Sequence, residues 1–418
     1  MLAFPVQLGG TWGAVLFRST PRRFGWSLLL LALCVRMLAV WVLRDPTQFH
    51  GFEMGQDGYH YDELARSLLA GDGYELAGEP SAFRAPGFPL FLALVYALSA
   101  KSYFAAYFSL CLLGALTVYC TWRAGSLLAG ERTGRVAGLL MALYPPHVYM
   151  ATIFASENLF TALLAAFLLL AAQRRAPAAG LCLGALILTR PFALLALPLL
   201  LLACWRSGER RLGAWLFAGT LVCLLPWTVR NQLALEHPVL LTTSGGPTFW
   251  GSYNDRVLLE ERHHGGWVAS DQLPGWTQLQ AASGELERDR LQWQWGREWL
   301  SEHTEELPRL LWWRLCRFWM PDRDSENRSY VLLQWFGTTP FLLLLAAGIV
   351  WRLRTGPRDA HWWMADSLML ACLATALIFW GAPRFRDGNA PILMLYAALP
   401  LAALLNRFSK PAQQAGST

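Results

Sequence analysis

Ten apolar runs divide this 418-residue sequence, and they constrain its fold more than any other feature. Several approach the roughly 17 to 25 residues that a helix needs to cross a bilayer. Only 15% of the residues are charged, against about 25% in an ordinary soluble domain. We therefore predict an all-α polytopic membrane protein with about ten transmembrane helices. The runs lie at 26–43, 102–121, 135–150, 154–172, 177–190, 192–205, 212–229, 330–350, 361–380 and 389–406.

The stretch between the first two runs differs from a plain connection, because it is rich in carboxylates and tyrosines. Within it, Tyr61, Leu64 and Leu68 recur at helical spacing until Gly71 and Gly73 interrupt the pattern. This spacing predicts an amphipathic helix that lies beside the membrane. A further apolar piece at 90–100 is too short to span a bilayer.

Basic residues mark alternate connections between the runs, and this bias predicts the orientation. Cytoplasmic connections are enriched in Lys and Arg, so we place both termini in the cytoplasm, and the loop of Asp57, the 230–329 segment and Arg384 outside. The net charge of +6 mostly reflects this bias, so we expect membrane lipids and no nucleic acid as partners. The basic residues are Arg18, Arg22, Arg23, Arg123, Arg132, Arg135, Arg174, Arg175, Arg206, Arg210, Arg211, Arg352, Arg354, Arg358, Arg407 and Lys410.

Two carboxylates are candidates for catalysis. Asp57 lies at the predicted outer mouth of the bundle, where a carboxylate can act as general base on an acceptor hydroxyl or amine; a solvated loop aspartate is the alternative. Glu157 lies where one run ends outside and the next begins, and a carboxylate at that depth is costly without a partner. It is either an orienting or metal-binding residue or a first-turn residue that interacts favourably with the helix dipole.

Arginines at the predicted outer ends run against the orientation bias. A guanidinium can bind phosphate oxygens through two hydrogen bonds and stabilise a departing phosphate. Binding to lipid headgroups is the alternative. The residues concerned are Arg84, Arg190, Arg230, Arg384 and Arg386.

Histidines and cysteines do not predict a metal site. His147, His263 and His264 lack the HExxH spacing of a metalloprotease. The eight cysteines lie mainly in apolar segments without a CxxC pair. The need for a divalent metal such as Mg, Mn or Zn therefore stays open.

Six motifs occur in an order that resembles the GT-C glycosyltransferases, within them the branch of aminoarabinose transferases and protein O-mannosyltransferases. The resemblance covers most of the chain. The motifs are D-x-x-x-Y-x-x-L-A from Asp57, FRAPGFPLFLALVYAL from Phe83, SE at 156–157, TRP at 189–191, PWTVRN at 226–231 and PRFR at 383–386.

The resemblance implies a GT-C-type bundle and a polyprenyl-phosphate-linked sugar donor. It implies transfer on the outer face of the membrane to a lipid, glycan or protein acceptor, with Asp57 as catalytic base. Glu157 joins Asp57 as a catalytic candidate, and Arg84, Arg190, Arg384 and Arg386 are the expected contacts to the donor phosphate. The expected substrate contacts are Tyr61, Glu63, Arg230 and Asn231.

The sequence departs from the family pattern in two places. Arg84 stands near the position where the aminoarabinose subgroup has a metal-binding glutamate, and RFR at 384–386 replaces the commoner RYR. A single base without a covalent partner suits inversion at the anomeric carbon. The rival hypotheses are a polyprenyl-lipid flippase or transporter, and a ligase or polymerase that moves a whole glycan.

These predictions divide the chain into five parts and place it in a bacterial inner membrane, with the active site facing the periplasm or cell exterior. The parts are 1–43, the cytoplasmic N-terminus and first span; 44–89, the first outer catalytic loop; 90–229, the transmembrane bundle; 230–329, the outer loop region; and 330–418, the C-terminal spans and cytoplasmic tail.

Overall fold

The computed structural model describes residues 19–43, 55–321, 328–355 and 360–408. Predictions for Arg18, Arg358 and Lys410, and for 44–54 of the first outer loop, lie outside these residues. Within these ranges the first ten helices are α1 Pro21–Leu43, α2 Gly55–Ala70, α3 Gly87–Leu98, α4 Tyr103–Ala129, α5 Glu131–Leu143, α6 Pro145–Met150, α7 Ser156–Ala172, α8 Ala176–Thr189, α9 Ala196–Arg206 and α10 Arg210–Leu235.

The second half is also helical, and a short hairpin follows α2. The strands are β1 Glu75–Leu76 and β2 Glu79–Pro80, which pair antiparallel. A 3₁₀ turn, Pro191–Leu195, precedes α9, and a π-helix, Leu333–Thr338, precedes α17. The remaining helices are α11 Gly245–Ser252, α12 Asp255–Leu259, α13 Trp276–Ala281, α14 Glu285–Glu302, α15 Leu307–Trp319, α16 Arg328–Leu332, α17 Thr339–Thr355, α18 Ala360–Ile378, α19 Pro383–Gly388 and α20 Ala390–Phe408.

The predicted class, an all-α polytopic membrane protein, is confirmed. Among the described residues four helices are long and apolar enough to cross a membrane: Pro21–Leu43, Tyr103–Ala129, Arg210–Leu235 and Gln334–Arg354. The count of ten spans stays a prediction, because the other apolar helices have 10–17 residues. They are Gly87–Leu98, Ser156–Ala172, Ala176–Thr189, Pro191–Arg206, Trp362–Ile378 and Ala390–Asn406.

The run at 135–150 is broken into two helices. Tyr144 is extended, with φ −65° and ψ 109°, and Pro145 begins α6. A residue before proline is disfavoured in the helical region, so the break falls there. The short α6 then turns the chain towards α7.

Close contacts between small residues hold α8 against α10. A side chain at Gly180 would overlap the backbone of Trp215, and one at Gly219 would overlap the backbone of Gly180. Small residues are enriched where membrane helices approach closely. Buried side chains such as Phe167 and Leu183 continue this contact into the main core.

The long helix α4 separates two ends of the bundle. It has 27 residues, or about 40 Å at 1.5 Å per residue. At its start, the Tyr103 hydroxyl donates to Asp62 on α2 at 3.1 Å. Just beyond its other end, Arg135 pairs with Glu131 at 2.8 Å. The helix α2 and this arginine-bearing segment therefore lie at opposite ends of α4.

The 236–306 segment packs around its own apolar cluster at the same end as α2. This cluster includes Phe249, Trp250, Val257 and Leu279, and it extends onto Leu310 of α15. The polar stretch before α15 forms two helices, α13 and α14. They are separated at Gly284, whose φ of +95° favours glycine.

Candidate active site

Charged side chains from five separate segments meet at the α2 end of the bundle. Three stand in the first turn of a helix: Asp57 in α2, Glu157 in α7 and Arg384 in α19. Arg84 lies in the turn before α3, and Arg190 follows the last residue of α8. We call these five residues the charge network.

The network is a continuous chain of ion pairs. Asp57 Oδ1 lies 2.6 Å from Arg84 Nη2, and Asp57 Oδ2 lies 3.1 Å from Arg384 Nη2. The Nε of Arg384 donates to Glu157 Oε1 at 2.9 Å. The same oxygen lies 2.5 Å from Arg190 Nη1. Arg384 therefore bridges the two carboxylates, and one further arginine binds each of them.

The network carries an excess of positive charge: three guanidiniums face two carboxylates. Burial raises the pKa of Asp57, but Arg84 and Arg384 outweigh it and lower that pKa to about 2. Burial likewise opposes the charge of Arg384, yet Glu157 and Asp57 raise its pKa overall. Both groups are charged at neutral pH, so the net field at the network favours an anion.

Glycine and proline place the two flanking arginines. A side chain at Gly87 would overlap Thr189, so the start of α3 lies directly against the end of α8. Arg84 comes just before this contact, and Arg190 just after it. Pro191 begins the next turn, which prevents α8 from continuing. These local features explain why the FRAPG and TRP motifs lie side by side.

Tyr61 and His60 surround the Asp57–Arg84 pair. Tyr61 is buried edge-on against Phe88, with ring centroids 5.0 Å apart, and the Arg84 guanidinium lies 5.8 Å from its ring. His60 Nδ1 accepts from Arg84 Nε at 3.2 Å. Burial and Arg84 lower the pKa of His60 to about 4, so it is neutral at pH 7. The sequence prediction missed His60, although it lies one helical turn after Asp57.

The other expected substrate contacts lie outside the charge network. Glu63 Oε1 accepts from the backbone N–H of Ala77 at 2.7 Å. Arg230 donates to the carbonyls of Tyr74 and Ser81, at 2.6 and 2.7 Å. Asn231 is fully buried and donates to the carbonyl of Val239 at 3.0 Å. These three residues fix backbone segments around the network.

Arg386 lies in a second cluster, apart from the other expected phosphate contacts. It is fully buried and pairs with Asp387, its Nη2 lying 2.9 Å from Oδ1. It also donates to the carbonyl of Trp319 at 2.7 Å, and the Tyr144 hydroxyl donates to Asp387 at 2.6 Å. Its sequence neighbour Asp387 was a signal for such a pair, because a carboxylate in an apolar segment needs a partner.

The network does not fit a divalent cation. Arg84, Arg190 and Arg384 already neutralise Asp57 and Glu157, and the local excess charge is positive. Within the part of the chain that the structure describes, no group of three or more His, Cys, Asp or Glu residues is arranged to hold a metal ion.

The three histidines considered as metal ligands contact an arginine, a tryptophan ring and a glutamate carboxylate. His147 is buried and contacts Arg36 at 2.8 Å through Nδ1. His264 stacks on the ring of Trp313, with centroids 3.7 Å apart. His263 lies 3.6 Å from a carboxylate oxygen of Glu260.

Residues 83–229 match the model of the family described as dolichyl-phosphate-mannose-protein mannosyltransferase. The crystal structure of an Archaeoglobus fulgidus oligosaccharyltransferase tethered with an acceptor peptide aligns with a TM-score of 0.56 and 12% identity, covering 93% of this chain and 50% of that one. The chain has the GT-C fold. This confirms the resemblance inferred from the motifs, and the matched segment contains Arg84, Glu157 and Arg190.

Two further structures extend the comparison. AglB from A. fulgidus in complex with an inhibitory peptide and a dolichol-phosphate aligns with a TM-score of 0.55 and 14% identity, covering 92% of this chain and 51% of that chain. ArnT from Cupriavidus metallidurans bound to undecaprenyl phosphate is 16% identical, with coverage of 91% and 78% and a TM-score of 0.42. The chain spans about half the length of the archaeal oligosaccharyltransferases. A search of curated protein sequences finds no match.

Proposed function

We propose that this protein is a membrane glycosyltransferase that moves a single sugar, a hexose or pentose, from a polyprenyl-phosphate-linked donor to an envelope acceptor. The observation that carries this proposal is the charge network, in which Arg384 bridges Asp57 and Glu157 at one end of a GT-C fold. The family match over residues 83–229 supports glycosyl transfer. The bacterial inner membrane, with the site facing outwards, is the proposed location.

The proposed reaction is a direct displacement. The hydroxyl oxygen or amine nitrogen of the acceptor attacks the anomeric carbon, and its proton passes to Asp57. The bond between the anomeric carbon and the phosphate oxygen breaks, and its electron pair leaves with polyprenyl phosphate. The phosphate thereby gains one negative charge, which Arg84, Arg190 and Arg384 are placed to stabilise. One displacement inverts the anomeric configuration.

Arginine exchange links donor binding to the activation of the base. In the structure both oxygens of Asp57 face arginines, and its pKa of about 2 makes it a weak base. A donor phosphate that draws Arg84 and Arg384 away releases the carboxylate. Its pKa then rises, because fewer cations stabilise the ionised form. The base therefore becomes effective only once the donor is in place.

Release of polyprenyl phosphate tests this function. Purified protein in lipid nanodiscs is given sugar-loaded polyprenyl phosphate, with membrane extract supplying the acceptor. Wild type should release polyprenyl phosphate and yield a product of inverted configuration, and Asp57→Asn should not. Equal release by both proteins excludes Asp57 as base. Movement of intact donor across the bilayer without release favours a flippase.

Transfer of a whole glycan is the second candidate. It is favoured by the alignment with archaeal oligosaccharyltransferases over more than nine-tenths of this chain. The two candidates differ in the mass added to the acceptor. Mass spectrometry of the product separates a single-residue increment from a block, and donors carrying one sugar or several provide the matched pair of substrates.

A further inference from the structure

The loop that carries Arg84 is held by the 236–306 segment through the backbone of one buried residue. The N–H of Ala82 donates to Glu285 Oε1 at 2.9 Å, and its carbonyl accepts from the N–H of Thr243 at 3.1 Å. Ala82 has no exposed surface. The backbone N–H and carbonyl of Ala82 are thus both hydrogen-bonded to residues far along the chain. Ala82 lies only two positions before Arg84.

The Glu285 carboxylate accepts hydrogen bonds from three donors. Its Oε2 accepts from the Ser81 hydroxyl at 2.5 Å, and its Oε1 accepts from the N–H of Ala82 at 2.9 Å and from the Thr243 hydroxyl. It is the first residue of α14. Hydrogen bonds to an ionised carboxylate are roughly twice as strong as neutral ones, so this contact fixes the position of 81–82.

A second set of bonds holds the other side of the same loop. Arg230 on α10 donates to the carbonyl of Tyr74 at 2.6 Å and to that of Ser81 at 2.7 Å. The Tyr74 hydroxyl donates to the carbonyl of Arg84 at 2.9 Å. The backbone that leads to Arg84 is therefore held by hydrogen bonds from three side chains: Arg230, Tyr74 and Glu285.

We propose that Glu285 is a positioning residue that places Arg84 against the donor phosphate. This inference rests on the proposed function. Ala82 and Arg84 are two residues apart, at most about 7 Å along the chain, so movement at Ala82 moves the Arg84 guanidinium. A 1 Å misplacement can cost about 100-fold in rate. The 236–306 segment thereby acts on the donor site without supplying a residue to it.

A double-mutant cycle between Glu285 and Arg84 tests the inference. Glu285→Ala, Arg84→Ala and the double variant are compared with wild type in nanodiscs, by the kcat and KM for the donor and the Kd for polyprenyl phosphate. Glu285→Ala should weaken kcat/KM about tenfold or more. In the Arg84→Ala background it should have no further effect, because its action passes through Arg84.

Conservative and matched variants separate positioning from general destabilisation. Glu285→Gln should recover most of the activity, because its amide oxygen can still accept from Ala82. Glu287→Ala is the control, since Glu287 is a partly exposed carboxylate of the same helix that accepts from the N–H and the hydroxyl of Ser283, at 2.7 and 2.6 Å. If Glu285→Ala does not fold, Ser81→Ala removes one of the bonds to Glu285, together with the bond from the N–H of Phe83 at 3.0 Å. It should show a smaller loss with the same dependence on Arg84.

The outcomes are distinguishable. Losses that add in the double variant would overturn the positioning role while leaving the proposed function intact. A wild type that neither binds polyprenyl phosphate nor releases it from the donor would overturn the function, and the positioning role with it. A loss with Glu285→Ala that is absent in the Arg84→Ala background supports both.

Discussion

Arg384 and Arg386 stand two positions apart in one motif, yet they occupy different environments. The Arg384 side chain is 21% exposed and is shared between Asp57 and Glu157, which come from separate helices. Arg386 is fully buried and binds its neighbour Asp387 and a backbone carbonyl. Arg384 therefore links α2 to α7 at a partly exposed site, whereas Arg386 makes its contacts inside the core.

This difference separates a residue that can exchange partners from one that cannot. An incoming phosphate can replace Asp57 on Arg384, because both side chains of that ion pair are partly exposed, at 21% and 19%. Replacing Asp387 on Arg386 would leave a buried carboxylate unpaired, which costs about 3 to 5 kcal/mol. We therefore propose that the donor phosphate binds to Arg384 with Arg84 and Arg190, and that Arg386 has a structural role.

The largest expected effect is that of Asp57→Asn. Removing the base should lower kcat about 10² to 10⁴-fold. Affinity for polyprenyl phosphate should not fall and should rise, because the carboxylate no longer competes for Arg84 and Arg384. Turnover and Kd are measured on the same preparation. Asp62→Asn, on the same helix but bound to Arg66 and Tyr96, is the control. Weaker binding by Asp57→Asn would contradict the exchange of partners.

Much of the site could be predicted from the sequence, because a charged residue close to a membrane span is costly unless it has a partner. Asp57, Glu157 and Arg384 are such residues, and the structure brings them together. The separate environment of Arg386 was signalled only by its neighbour Asp387, and the contacts of Glu285 had no signal in the sequence. The two arginines differ in burial, and spacing in the sequence does not predict the burial of residues that are only two positions apart. Glu285 meets its partner Ala82 across 203 positions, without a local pattern.

The fold shows the same limit. Apolar length predicted a membrane bundle, but it did not reveal where helices end inside a run. The break at Tyr144–Pro145 depends on a local rule about proline. The close approach of Gly87 to Thr189 depends on tertiary packing, and that contact is what places Arg84 beside Arg190.

Arg386→Met should destabilise the protein more than it impairs the chemistry. It leaves the buried Asp387 without its cation, at a cost of about 3 to 5 kcal/mol. Thermal unfolding in nanodiscs should show a clear loss of stability, while polyprenyl phosphate binding per folded molecule is kept. Adding Asp387→Leu should restore part of the stability, because the unpaired charge is then removed. Loss of phosphate binding by folded Arg386→Met would place this residue back at the donor site.

Arg384→Lys should show the opposite balance. An ammonium keeps the positive charge but lacks the planar geometry that serves Asp57 and Glu157 at once. We expect kcat/KM for the donor to fall about 10 to 100-fold, less than the roughly 100 to 1,000-fold for complete loss of an oriented donor, because the charge is kept. The unfolding temperature should change little. Arg66→Lys is the matched control, because the Arg66 side chain is 40% exposed and pairs with a carboxylate, Asp62, outside the charge network. A large stability loss with unchanged kinetics would remove the contrast between Arg384 and Arg386.

The smallest effect is in the pH profiles, and it tests whether Asp57 changes partners. Its pKa of about 2 in the free protein is lowered by the arginines, so its stabilising effect is full above the unfolded pKa of about 3.9 and is lost as the pH falls towards 2. The acid limb of kcat/KM that Asp57 causes should therefore lie below about pH 4, the unperturbed range. The acid limb of kcat should lie higher, because the donor phosphate has taken Arg84 and Arg384.

The titration of a second carboxyl, Asp289, must be distinguished from that of Asp57 in these pH profiles. Burial raises the pKa of Asp289 to about 6, although it accepts from the N–H of Gly246 at 2.6 Å. Stability from this group is lost as the pH rises through 6, which is opposite in sign to Asp57. Profiles are therefore recorded in an Asp289→Asn background. Acid limbs of kcat and kcat/KM at the same pH would show that Asp57 keeps its arginines when the donor binds, and the base would then have to act from within the ion pair.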